Sequence, residues 1–102
     1  MQEVPDMRVG VAWFREAEWD RLRASAADPE VLEESYAEWL KVVERSVRTL
    51  KEAGVIAEKV EVRVAELEEW CRKEGRLMDS AARSEFAALL LHRKYHPPTG
   101  AK

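Results

Sequence analysis

The chain has no asparagine, one glutamine (Gln2), one isoleucine (Ile56) and one cysteine (Cys71) in 102 residues. A lone cysteine excludes an internal disulfide and any zinc cage built from several thiolates, and it suits a reducing compartment. The longest unbroken apolar run, Phe86 to Leu91, falls far short of the roughly 18 residues that a membrane span requires. Four scattered glycines form no phosphate-cradling loop. Nor do the residues assemble a serine, histidine and acid set or a pair of catalytic carboxylates, so no cofactor is implied and the balance leans away from an enzyme. The start, Met1 to Asp6, lacks the basic and then apolar regions of a secretory signal, which points to the cytoplasm. Depletion of amides beside abundant Glu and Arg is a thermophile trait, and a GC-rich genome accounts for it equally well.

What is present is 46% hydrophobic and 36% charged residues, a balance that excludes intrinsic disorder. The length suits a single domain over 1–96, followed by a flexible tail over 97–102. The net charge of −3, with both signs mixed along the chain, provides no long-range field for a phosphate backbone, and so argues against nucleic acid.

Arg8 to Phe14 reads as a strand with Val9, Val11 and Trp13 on one face. A short helix follows from Arg15 to about Ala26, carrying Trp19, Leu22 and Ala26 on its apolar side. Asp28-Pro29-Glu30 looks like the start of a long helix, because Asp caps, Pro tolerates the first position and Glu suits the positive end. Its stripe of Leu32, Tyr36, Trp39, Leu40, Val43, Val47 and Leu50 runs to Gly54. Lys59 to Val64 alternates as a second strand, with Val60, Val62 and Val64 facing one way. Glu66 to Glu74 is helical and ends at Gly75; Asp79 then caps a last helix from Ser80 that stops before His96-Pro97-Pro98.

A shift of 51 positions aligns Val9 with Val60, Val11 with Val62, Trp19 with Trp70 and Asp28 with Asp79. The expected fold is therefore a helix-dominated α+β domain in which a strand-helix-helix unit occurs twice, over 8–54 and 59–95. Two helices would return the chain to its original direction after each strand, making the two strands antiparallel beneath four helices. A two-stranded sheet is marginal alone, so its edges need covering helices or a second copy.

Several residues are candidates for chemistry. Asp79, Ser80 and Arg83 cluster at a helix start, where free N–H groups and a guanidinium could hold a small anion. His92 and His96, four apart, could share a transition metal, although a solvated helix end explains them as well. Cys71 reads as a buried structural thiol. The last two helices also carry a weak helix-turn-helix pattern that would offer Ser80, Arg83 and Ser84 to a DNA groove, the basis for a DNA-binding regulator as one alternative. Trp13, Val60 and Val62 are the interface candidates at the sheet.

Val60 to Phe86, with Trp70-Cys71, Gly75 and Asp79-Ser80-Ala81-Ala82-Arg83, resembles a stretch of small bacterial proteins of unknown function, and the resemblance implies a bacterial source without an activity. The functional expectation is a non-enzymatic, self-associating protein-interaction module, working as a homodimer or with a protein partner. A small-ligand or metal-binding protein is the alternative from another class.

Overall fold

The computed structural model describes residues 7–96, so the tail expected over 97–102 lies outside the described residues. Strand β1 (Arg8–Trp13) leads through a 3-10 turn (Glu16–Glu18) into helix α1 (Trp19–Ser25), and a second 3-10 turn (Pro29–Val31) precedes the long helix α2 (Tyr36–Glu52). Strand β2 (Ile56–Glu61) and helices α3 (Val64–Glu74) and α4 (Ser80–Tyr95) complete a helix-dominated α+β architecture.

The two strands are parallel, in the register Arg8 with Ile56 through Trp13 with Glu61, and the antiparallel expectation is wrong. Its error lies in counting two helices as two full reversals. With only seven residues, α1 makes a sideways excursion, and α2 alone carries the chain back, so β2 starts at the same end as β1. Gly54, at φ 85°, makes the tight turn from α2 into β2.

The expected twofold repetition of a strand-helix-helix unit also fails. Asp79 caps α4 by accepting from the Ala82 N–H, but Asp28, its supposed counterpart, is followed only by a 3-10 turn and starts no long helix of its own. Instead α2 starts later, where the Ser35 hydroxyl accepts from the Glu38 N–H. The strands pair 48 positions apart (Arg8 with Ile56), whereas the sequence match requires 51. Equal positions in the two halves therefore do different jobs.

Helix α4 lies along β1, and α2 along β2. They occupy opposite faces of the sheet: Gly10 turns toward α4, while Trp13, of opposite parity on the same strand, places its ring 5.6 Å from that of Trp39 in α2. Each strand is thus roofed on one side, which leaves Val9 39% and Ile56 40% exposed. A Cβ on Gly10 would stand 3.0 Å from the Ala87 carbonyl and 3.3 Å from Leu91 Cβ, so the missing side chain is what lets α4 sit so close. Gly10→Ala is expected to push α4 off the sheet at a cost of about 1–3 kcal/mol, read as a lower urea midpoint.

The core is centred on Trp39, whose ring lies 5.3 to 5.9 Å from those of Tyr36, Trp13, Trp19 and Phe14. The Tyr36 hydroxyl donates to the Phe14 carbonyl at 2.8 Å, so the one polar atom of this ring is satisfied. Carboxylates from the first half then cap helices of the second: Glu18 accepts from the Val64 N–H at the start of α3, and Asp28 from the Ser80 N–H at the start of α4, each at 2.9 Å. No helix among the described residues is long and apolar enough to cross a membrane.

Candidate interaction site

At the start of α4, Asp79, Ser80 and Arg83 do come together, but the anion among them belongs to the chain itself. Arg83 is only 8% exposed, and its Nη1 donates to Asp28 Oδ1 at 2.9 Å while the other Asp28 oxygen takes the Ser80 N–H. The guanidinium faces inward and offers nothing to a DNA groove. Asp28 was legible as a cap, but the helix it serves is α4, fifty-odd residues downstream.

His92 and His96 stack with ring centroids 4.5 Å apart on the exposed last turn of α4. Among the described residues no group of three or more His, Cys, Asp or Glu side chains gathers as a metal site. Cys71 is buried, and that burial pushes its thiol up against a smaller opposing pull from Arg76. A thiol so placed is a poor nucleophile.

Of the interface candidates, Val62 is 1% exposed and packs in the core. Its N–H donates to the Trp13 carbonyl one residue past the end of β2. Val60 is half-buried beneath α4, where its Cγ2 lies 3.2 Å from the position of a Gly10 Cβ. Trp13, also half-buried, is covered by Trp39 and by the Lys59 ammonium 4.2 Å from its ring centre.

Two open concavities border α4 instead. The larger, about 1150 Å³, runs between α3 and α4 over a floor of Trp70, Phe86, Leu89 and Leu90. The Trp70 and Phe86 rings lie 5.3 Å apart, and the Arg76 guanidinium stands over the indole at 5.2 Å. Arg76 in turn is paired with Glu85, and Glu69 with Arg72 and Lys73, so part of the charged rim is already neutralised. The sequence signal for this groove was Leu89-Leu90-Leu91. Three successive helical residues fan across about 200°, so they cannot all point into one core. Leu91 goes to the sheet, and Leu89 and Leu90 turn toward α3.

The smaller concavity, about 470 Å³, lies between β1 at Arg8 to Gly10 and the α4 residues Ala88, Leu91, His92, Tyr95 and His96. At its end Glu58 accepts from Arg8, Lys94 and Tyr95. The Lys94 and Tyr95 hydrogen bonds, with Arg8 adding to them, hold the Glu58 carboxyl below the usual range.

No known family model matches the chain, and no curated protein or solved structure is similar to it.

Proposed function

We propose that the protein is a non-enzymatic interaction module that self-associates through the α3 and α4 face. The observation that carries this reading is the open groove in which Trp70, Leu89 and Leu90 stay half-buried above the buried Phe86, because aromatic and aliphatic surface concentrated in a groove gains most from being covered.

The rim favours a second copy as the occupant. Helices α3 and α4 form a hairpin, so Arg93 lies at the end where α3 starts, while Glu74 lies at the end where α4 starts. A twofold axis through the middle of the groove would set Arg93 of each copy against Glu74 of the other. The interface is then self-complementary, as a twofold contact has to be.

Light scattering over a range of concentrations is expected to give twice the mass of one chain at high concentration. Arg93→Glu alters both symmetry-related charge pairs, so at about 0.7 kcal/mol for each it should weaken the dimer about tenfold, and adding Glu74→Arg should restore it. A mass of one chain at every concentration, or a double variant no tighter than the single, would sink the reading.

A further inference from the structure

The outer face of α2 carries Lys41, Arg45 and Arg48, spaced by four and three residues, so the three cations share one stripe about 10 Å long. All three are exposed, and among the described residues none has an ion-pair or hydrogen-bond partner. Most cations elsewhere, Arg21, Arg76 and Arg83 among them, are engaged by carboxylates of the chain itself. The carboxylate at the flank of the stripe, Glu44, is taken by Lys59 at 3.2 Å. The helix dipole does not account for the stripe: Lys51 lies in the last turn, where a cation is favoured, but Lys41 lies in the second turn, toward the positive end. Here Leu40, Lys41, Glu44, Arg45 and Arg48 line an open concavity of about 370 Å³, with Leu40 half-buried as its apolar wall.

Glu38 and Glu52 fall on the same stripe at its two ends, so the charge order along α2 is one acid, three bases and one acid. A pattern that reads the same from both ends opposes its own copy. Twofold pairing centred on the stripe sets Lys41 against Arg48 and Glu38 against Glu52 when the helices are antiparallel, and each residue against itself when they are parallel. A nucleic-acid duplex or an anionic membrane carries its charge far past 10 Å, and would press on Glu38 and Glu52 as well. Two turns of an acidic helix match the stripe, because carboxylates at steps of four and three span the same length.

We propose that the outer face of α2 docks an acidic amphipathic helix of a partner protein, with three of its carboxylates against Lys41, Arg45 and Arg48 and one apolar side chain against Leu40. Charge aligns the helix, and the Leu40 contact adds apolar burial. Helices α2 and α4 lie on opposite faces of the sheet, so this site is remote from the α3 and α4 groove and either can fail alone.

The test is NMR titration of the whole protein with an N-acetylated, C-amidated, alanine-rich peptide of about 20 residues, long enough to be helical alone. It carries three glutamates at steps of four and three, with a leucine beside them. Amide shifts are expected along α2 from Leu40 to Thr49, and none at Leu89 or Leu90. The same peptide with glutamine for glutamate should bind about tenfold more weakly, the scale of three exposed charge pairs acting together. The triple variant Lys41→Gln, Arg45→Gln, Arg48→Gln should bind both peptides alike, with an unchanged urea midpoint because all three side chains are exposed. Arg45→Glu should weaken binding of the glutamate peptide and be rescued by a peptide with lysine at the central position. No shift along α2 at millimolar peptide, equal binding of the glutamate and glutamine peptides by the parent, or tighter binding of a mixed-sequence DNA duplex or of phosphatidylserine vesicles at these residues would each overturn the proposal.

Discussion

Trp39→Ala is expected to lower stability by about 3–5 kcal/mol, the usual cost of emptying a buried aromatic site. A small domain has a total margin of about 5–15 kcal/mol, so this variant should have a substantial unfolded population at ambient temperature. The loss is large because Trp39 is buried and its ring is the one shared by Trp13, Phe14, Trp19 and Tyr36, which come from the end of β1, from α1 and from α2. Removing it unties β1 from α1 and α2 together. Urea melts followed by far-UV circular dichroism would measure the effect, and Trp39→Phe should be milder. A Trp39→Ala midpoint within error of the parent would mean that the aromatic cluster is not the centre of the core.

Asp28→Ala is expected to cost about 3 kcal/mol, because it leaves the buried Arg83 charge without its carboxylate and the first turn of α4 without an acceptor for Ser80. Replacing the pair together, Asp28→Leu with Arg83→Met, should recover most of that loss, since the penalty comes from the orphaned charge. The pair also makes stability depend on pH. Burial pulls the Asp28 carboxyl up, but hydrogen bonds from Arg83 and Ser80 outweigh it and leave the group below its ordinary range. A carboxyl whose folded value is depressed adds stability that is complete above its unfolded value, about pH 4, and is lost as the pH falls through the folded value. Glu68, held down mainly by Arg21 and then by Ser25, acts in the same direction. Between pH 7 and pH 2 the parent should therefore lose more stability than Asp28→Ala. Parallel pH profiles for the two would remove the pair from the acid response.

Most helices were legible because their signals are local. Gly75 adopts φ 66° and ends α3 as its position implied, and the Asp79 cap is seen at α4. The errors arose where a local signal was taken up by distant chain. Asp28-Pro29-Glu30 has the chemistry of a helix start, yet only a 3-10 turn forms there, because the Asp28 carboxylate is engaged by Arg83 and Ser80. The competing signal, Ser35 with Glu38 three residues on, was present in the sequence and marks the true start of α2. Alternating valines likewise set the second strand too late. Val62 and Val64 are buried as the alternation implied, but Val64 already belongs to α3, which starts there because Glu18 supplies an acceptor for its N–H. Strand direction was not legible either, because it depends on how far α1 carries the chain, and apolar periodicity does not encode that distance. Arg83 was legible as a binding group, and what the sequence hid was that its partner is internal.

The two borrowed caps also bear on how the molecule assembles. Glu18 reaches Val64 across 46 positions, and Asp28 reaches Ser80 across 52. The pairing of β1 with β2 spans a similar distance. Each contact closes a long loop, but lengthening such a loop adds little entropy, about 0.6 kcal/mol for every doubling. Once one closure has formed, the others close much shorter loops than the first and cost less. The caps therefore tie the ends of α3 and α4 to the sheet, and the refolding rate is expected to follow this non-local topology more than the speed at which any single helix forms.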